Sequence, residues 1–309
     1  MNHFNNLNQI QLDTPSVVTI GVFDGVHKGH QHLIRQLVDE AHRQGHLAVV
    51  LTLFPHPDVV LRGLTGRYYL TTPEQKAALL GDLGVDVVIT HPFDDQVRHM
   101  RAATFVDDLL SHLHMRGLWV TADFALGYQR EGNPQFLAAQ GKEKDFELRL
   151  VDLVMADGST ISSSHIRDSL LAGDVTIAAA SLGRNYRVAG EVIHGDKRGR
   201  TIGFPTANLK VWEQQIIPAN GVYACWARLG MERFMAVTNI GIRPTFDGQE
   251  LRIEAHLLDF DRDIYGQTLD LEFVERLRGE QKFPGFEALI QQIGIDAQRG
   301  REILSGLSV

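Results

Sequence analysis

An α/β protein in two parts is expected from this sequence: an N-terminal doubly wound parallel sheet, then a small antiparallel β-barrel domain with C-terminal helices. Three features point there. Short apolar runs alternate with amphipathic stretches through the first half, and a glycine-bearing turn joins the first strand to the first helix. From about Arg184 the texture changes to short strands punctuated by glycine. At 309 residues the chain exceeds the size at which single cores stop growing, so two domains, 1–183 and 184–309, are expected.

In the first half, strands are expected at Ser16–Ile20, Leu47–Leu53, Asp86–Thr90, Leu118–Thr121 and Phe146–Val151. Between the first two, Leu33, Ile34, Leu37, Val38 and Ala41 recur at helical spacing, giving one apolar face on a helix that starts near His30. Pro73 stands at a favoured first helical position before Glu74, and Thr104 to His114 supplies a third helix. Hydroxyls within Ile161–Ser164 can cap a helix that ends at Gly173, and a short helix follows over Val175 to Leu182. The barrel strands are expected at Arg187–Ile193, Gly221–Leu229, Phe234–Asn239, Leu251–Leu257 and Thr268–Val274. Two helices, Phe286–Ile293 and Asp296–Leu304, are expected to close the chain.

Composition narrows the function. Hydrophobic residues make up 44% and charged residues 22%, the balance of an ordinary globular protein. A net charge of -8 offers no electrostatic footprint for nucleic acid or an anionic membrane, so any polyanion handled is expected to be small. The single cysteine, Cys225, excludes an intrachain disulfide and a cysteine-based zinc cluster. The first basic side chain is Lys28, and no stretch approaches the 18 apolar residues of a membrane span. A soluble, unprocessed, cytoplasmic protein is the expectation.

The segment from Gly21 through Phe23, Asp24, Gly25, His27 and Gly29 to His30 falls in the turn after the first strand, where an open parallel sheet binds ligands. Glycines let the backbone approach phosphates, and the following helix points free N–H groups and its positive dipole end at them. It is neither a Walker A loop nor a dinucleotide G-x-G-x-x-G. Two surface histidines in a solvated turn are the plain alternative. A metal site from His27, His30 and His32 is a third reading, with no carboxylate or thiolate at ligand spacing to support it.

Other segments carry chemistry of the same kind. In Phe54-Pro55-His56-Pro57 the prolines fix the conformation around His56. Ile161-Ser162-Ser163-Ser164-His165-Ile166-Arg167 puts hydroxyls at a helix start and an arginine one turn on. Asp123-Phe124-Ala125-Leu126-Gly127 is followed by Arg130-Glu131-Gly132-Asn133. In the second half, Gly195, Gly199 and Gly203 would let a loop with Lys197 and Arg200 wrap a phosphate chain. Thr206 and Asn208 offer neutral oxygens, hard ligands suited to magnesium.

The H-x-G-H element at His27–His30 resembles that of the nucleotidyltransferase superfamily, whose Rossmann-like members attack a nucleotide α-phosphate and release pyrophosphate. Gly199-Arg200-Thr201-Ile202-Gly203-Phe204-Pro205-Thr206-Ala207-Asn208 resembles the flavokinase signature, continued by Gly221-Val222-Tyr223, Asn239-Ile240-Gly241 and Glu254-Ala255-His256. From Val18 to about Leu304 the chain resembles the bacterial bifunctional riboflavin kinase/FAD synthetases. The resemblance implies FMN adenylyltransferase chemistry in 1–183 and riboflavin kinase chemistry in 184–309, with riboflavin, FMN and ATP as small-molecule partners, FAD as product and Mg2+ as cofactor. His27 and His30 would act on phosphate oxygens and Glu254 as the catalytic carboxylate. Gly21, Phe23, Asp24, Gly25, Gly29, Asp123, Ser163, Ser164 and Arg167 would bind nucleotide in the first half, as would Gly195, Lys197, Gly199, Arg200 and Gly203 in the second. His56, Pro57, Arg130 and Phe283 would contact flavin, and Thr206 and Asn208 the metal.

The match departs from the pattern in places. Ala125 stands where the family has arginine, Leu126 where it has phenylalanine, Ser164 for threonine, and His165 where arginine is frequent. A flavokinase or flavin-binding protein with a weakened nucleotidyltransferase domain is therefore the alternative expectation.

Overall fold

Six parallel strands form the first sheet in the structure, a computed structural model that describes residues 1–151, 161–195, 203–245 and 248–307. In spatial order they are β1 (Asn2–Phe4), β4 (Val87–Pro92), β3 (Leu47–Phe54), β2 (Ser16–Gly21), β5 (Met115–Val120) and β6 (Glu147–Leu150). The inner strands read as continuous apolar runs because both faces are covered. On one face Val17, Ala48, Val50 and Val88 join a core with Leu33, Ile34 and Leu37 of α1 (Lys28–Arg43) and with Ala77 and Leu80 of α3 (Pro73–Gly81). On the other, Val18, Val49, Leu51 and Ile89 pack with Phe105, Val106 and Leu109 of α5 (Ala102–Leu113) and Leu137 of α6 (Pro134–Lys144). That alternation of neighbouring residues between two cores is the period of two of a strand.

From β2 the chain steps outward through β3 to β4, then returns to lay β5 on the opposite side of β2. The order reverses between β2 and β5, and the crevice at their carboxyl ends is where an open α/β sheet takes its ligand. The expected strands and helices of this half are present. Four short or peripheral elements were not foreseen: β1, α6, the two-turn α2 (Pro57–Arg62) and the single-turn α4 (Asp95–Arg98).

The second half is a closed antiparallel barrel. Its strands are β7 (Tyr186–Ile193), β8 (Ala207–Val211), β9 (Gly221–Leu229), β10 (Glu232–Thr245), β11 (Gly248–Leu257) and β12 (Thr268–Arg278), arranged β10-β11-β8-β7-β12-β9 with β9 closing on β10. β8 was not among the expected strands. Every residue of β9 from Gly221 to Ala227 is buried, because one face fills the barrel and the other lies under α9 (Phe286–Gly306). Val222, Ala224 and Trp226 form that outer core with Val237, Leu277 and Leu304. Gly300 lets the helix come close, since a Cβ there would stand 2.6 Å from Val237.

One expectation about this half is corrected: the chain closes with one continuous helix, not with two helices over Phe286–Ile293 and Asp296–Leu304. Asp296 looks like a second helix start in sequence, yet its carboxylate is buried. It receives Nε and a terminal nitrogen of Arg278 at 3.0 and 2.8 Å, and the Gln292 amide at 2.9 Å. A carboxylate held from inside the helix and from β12 is not available to cap a new one.

By contacts the chain forms two compact units, Met1–Thr65 with Thr71–Ser162, and Gly66–Leu70 with Ser163–Val309. α7 (Ser163–Ala172) and α8 (Val175–Leu182) thus group with the barrel, upstream of residue 184.

Candidate active sites

In the first unit the turn between β2 and α1 is built against steric preference. Phe23 and Val26 have φ of 50° and 41°, and Gly25 has φ 79°. For a β-branched residue such as Val26 this is a genuine outlier, and it persists only where the surroundings over-determine it. They do so here. Asp24 accepts from the Thr71 N–H at 3.2 Å and its hydroxyl at 3.4 Å, and the Gly25 N–H donates to the same hydroxyl. The Val22 carbonyl accepts from Thr52 Oγ1 and from Lys76 Nζ, each at 2.9 Å. Gly21 must lack a side chain, because a Cβ would stand 2.9 Å from the Phe23 ring.

His27 is the N-cap of α1, and its Nδ1 accepts the His30 backbone N–H at 3.4 Å. With Nδ1 an acceptor, the proton of the neutral ring sits on Nε2, which becomes the donor. The His27 and His30 rings stack with centroids 3.6 Å apart, and Phe23 meets His30 edge-on at 5.2 Å. Burial, followed by the charges of His27 and Lys76, pushes the His30 pKa well below that of ordinary histidine, so His30 is neutral near pH 7. Buried Nδ1 of His30 has no hydrogen-bond partner in the described structure, and Gly29 is buried beside it in the first turn. No group of three metal-ligating side chains exists among the described residues, which leaves the reading of His27, His30 and His32 as ligands without support.

Lys76 is the functional candidate that sequence reading missed. It is 5% exposed, its ammonium bonds the Val22 carbonyl and Thr52 Oγ1 at 2.9 and 2.8 Å, and burial lowers its pKa to about 8 against an opposing pull from Asp24. The signal was there: Lys76 precedes Ala77 and lies one turn before Leu80, on the buried face of α3.

The remaining residues of this unit sit on loops after other strands. His56 caps α2, with Nδ1 accepting the Asp58 N–H at 2.9 Å, so here too Nε2 is the donor; Pro57 is the first helical residue. After β5, an exposed loop is pinned by paired hydrogen bonds between Leu126 and Gly132, while Arg130 holds the Asp123 carbonyl at 2.8 Å. Leu126, at a family phenylalanine position, is buried in the core, whereas Ala125 is half-buried.

In the second unit, Ser163 and Ser164 open α7. Arg167 is buried, donating from Nε to the Tyr68 carbonyl at 2.7 Å with its guanidinium 4.1 Å from the centre of the Tyr68 ring. On the barrel, Glu254 of β11 pairs in register with Asn208 of β8 on one side and Asn239 of β10 on the other. Side chains in register project to the same face. Their neighbours Ala207, Leu209, Ile253, Ala255 and Ile240 are buried while these three are half-buried, so the row lies on the outer wall. Thr206, two residues before Asn208, is also half-buried. Gly195 packs on the Asn208 side chain so closely that a Cβ would stand 2.5 Å from its Cγ. Gly203 has φ 84° and open space around it. Phe283 lies under the Arg278 guanidinium at 5.7 Å. Lys197, Gly199 and Arg200 lie outside the described residues. Asn239 belongs to the row although sequence reading assigned it no role, because strand register is not written in either strand alone.

Two families of known proteins match successive parts of the chain. A family model described as FAD synthetase matches residues 9–165, and one described as riboflavin kinase matches residues 182–304. A bifunctional riboflavin kinase/FMN adenylyltransferase of Listeria monocytogenes is 40% identical over 297 residues, covering 96% of this chain and 94% of its own. That of Escherichia coli K12 is 37% identical over 289 residues, 93% of this chain and 92% of its own. A solved structure from Streptococcus pneumoniae, named a macrolide-efflux protein, superposes with a TM-score of 0.84 at 30% identity, covering 97% of this chain and 98% of its own.

Proposed function

This chain belongs to the family of bifunctional riboflavin kinase/FMN adenylyltransferases, and on that basis we propose how its residues divide the two reactions. It phosphorylates riboflavin to FMN and adenylylates FMN to FAD. ATP is the donor in both steps, and the working boundary between the two catalytic domains lies at 183/184.

At the β2–α1 turn the FMN phosphate attacks the α-phosphorus of ATP, and the bond to the β-phosphate oxygen breaks to release pyrophosphate. A phosphate monoester with a second pKa of about 6 is already a dianion at neutral pH, so this step needs positioning and charge stabilisation and no general base. Nε2–H of His27, neutral His30 and the free N–H groups of α1 supply the donors as charge builds on the phosphate oxygens. Gly21, Phe23, Asp24, Gly25 and Gly29 shape the cradle, with Asp123, Ser163, Ser164 and Arg167 as further nucleotide contacts. His56, Pro57 and Arg130 face the flavin.

On the barrel the nucleophile is a neutral ribityl hydroxyl. Its oxygen bonds to the γ-phosphorus, the bond to the ADP oxygen breaks, and the hydroxyl proton passes to the Glu254 carboxylate. The register that aligns Glu254 with Asn208 and Asn239 is the observation that carries this assignment. Oxygens of Thr206 and Asn208 are the hard donors that Mg2+ prefers, and beside a carboxylate they fit it as ligands. When bound there, Mg2+ neutralises charge on the transferred phosphoryl group. Gly195 and Gly203, with Lys197, Gly199 and Arg200, hold the ATP phosphates, and Phe283 packs on the flavin. We place the enzyme in the cytoplasm. No described helix is long and apolar enough to cross a membrane.

Chromatography of products after mixing with riboflavin and MgATP tests the reading. FMN followed by FAD is expected. FMN alone would mean a flavokinase with a failed nucleotidyltransferase domain, and unchanged riboflavin a flavin-binding protein.

A further inference from the structure

A buried ammonium without an ion pair is costly, and Lys76 is one: among the described residues its only partners are the Val22 carbonyl and Thr52 Oγ1. Thr52 Oγ1 also donates to Val22, so carbonyl, hydroxyl and ammonium form a closed triangle between the end of β2, β3 and α3. Val22 immediately precedes the strained run from Phe23 to Val26. The same short stretch of chain, Thr71 to Lys76, grips the turn again at Asp24 and Gly25 through Thr71. The turn is therefore held from beneath at both ends, and one of the grips carries a positive charge.

We propose that Lys76 is a positioning residue for adenylyl transfer, one that locks the β2–α1 turn in its phosphate-binding conformation and sets a fixed positive charge behind the nucleotide. A neutral donor would close the triangle equally well, so the charge needs a purpose. A polyphosphate in the turn provides one, since in a low-dielectric interior a buried cation stabilises a nearby anion far more than in water. Lys76 does not touch substrate. It acts through the turn and through the field at His27 and His30. The titratable groups that interact with its charge are Asp24 in the turn, His30 on α1 and His3 on β1; His27 acts on the same His30, and Glu74 on the same His3. Carboxylates and imidazoles ordinarily titrate below pH 7, so a basic limb near pH 8 reports the lysine.

The inference rests on adenylyl transfer at the β2–α1 turn, and the experiment separates the two. Lys76→Met, Lys76→Gln and His30→Ala are made in the full-length chain, and FAD formation from supplied FMN is measured from pH 6.5 to 9.5 beside FMN formation from riboflavin. In the native protein kcat/KM for FAD formation is expected to fall above about pH 8, as the free enzyme loses the ammonium charge. Lys76→Met is expected to lower it roughly 10- to 100-fold at pH 7, the cost of misplacing catalytic groups, and to abolish the basic limb. Lys76→Gln, which keeps a donor, is expected to recover part of the rate without the limb. Native circular dichroism and a native melting temperature of each variant show that the unit carrying the β2–α1 turn is folded, and FMN formation is expected to be unchanged. Native FAD kinetics in both lysine variants, or a basic limb that persists in them, would overturn the role of Lys76. Native FAD formation in His30→Ala would instead overturn the placement of the reaction.

Discussion

His27 and His30 show how much chemistry a cap can determine. Because Nδ1 of His27 is spent on the His30 N–H, its donor is Nε2, and because burial above all, reinforced by its neighbours His27 and Lys76, holds the His30 pKa well below the usual histidine value, His30 stays neutral. A neutral imidazole donates to a phosphate oxygen without adding a proton that must later be removed. Removing one such preorganised donor typically costs ~100–1,000-fold, so His30→Ala should stop FAD formation and leave FMN formation intact. Glu254→Gln keeps shape and hydrogen bonding but cannot take a proton, and should do the reverse: riboflavin persists while supplied FMN still becomes FAD. Loss of both activities by either variant, with a native melting temperature, would show that the two reactions are not separately housed. Both residues were legible in the sequence because each sits in a contiguous motif. Lys76 and Asn239 were not recognised as site residues, since α3 reaches the turn and β10 reaches β11 only in three dimensions. The charge on Lys76 also has a thermodynamic signature. Its pKa drops from 10.5 to about 8 on folding, so below pH 8 both states hold the proton and folding bears the full cost of burying it. Between about 8 and 10.5 the unfolded chain binds more protons, so this group makes stability rise with pH. The rise is roughly 3 kcal/mol at about 1.4 per unit. Urea unfolding of native protein and Lys76→Met at both ends of that window should show the rise in the first and not in the second.

The elements of the sheet were readable because their periodicity is strong: α1 presents Leu33, Ile34, Leu37, Val38 and Ala41 to one core, as its spacing foretold. α3 was equally plain, with Pro73 at its first turn and a reciprocal capping box between Thr72 and Gln75. α9 was misjudged because Gly294 and Asp296 together imitate a helix end followed by a cap. In the folded chain Gly294 lies inside a helix, with no positive φ, and a Cβ there would meet nothing within 4 Å. Glycine at such a site loses more backbone freedom on folding than alanine does. Gly294→Ala should therefore stabilise the protein by about 0.4–1 kcal/mol, seen as a higher urea midpoint with an unchanged slope. A lower midpoint would mean that α9 bends or breaks at that residue after all.

For the molecule as a whole, the sequence marked a change of texture near 184, but texture records strand chemistry and not which helices a barrel keeps. α8 buries Val175, Ala178 and Leu182 and contacts β7 and β12, while Arg276 of β12 reaches back to the Ala172 carbonyl at the end of α7. Gly66–Leu70 adds a further tie: the Tyr69 backbone bridges to Gln215, and Arg67 donates to the carbonyls of Trp212 and Gln215 at 3.0 and 2.9 Å. A fragment starting at Arg184 keeps all six barrel strands and α9, and so keeps the row of Asn208, Glu254 and Asn239. It loses the helices that cover one side of the barrel. Burying two side chains such as Val175 and Leu182 is worth about 1.5–3 kcal/mol each, so their loss removes several kcal/mol from a domain whose total is on the order of 5–15. Fragment 184–309 should therefore phosphorylate riboflavin but unfold at distinctly lower urea than fragment 163–309, while neither converts FMN to FAD. Equal midpoints for the two fragments would show that α7 and α8 contribute nothing to the barrel. An inactive but folded 184–309 would show that riboflavin kinase chemistry needs residues upstream of 184.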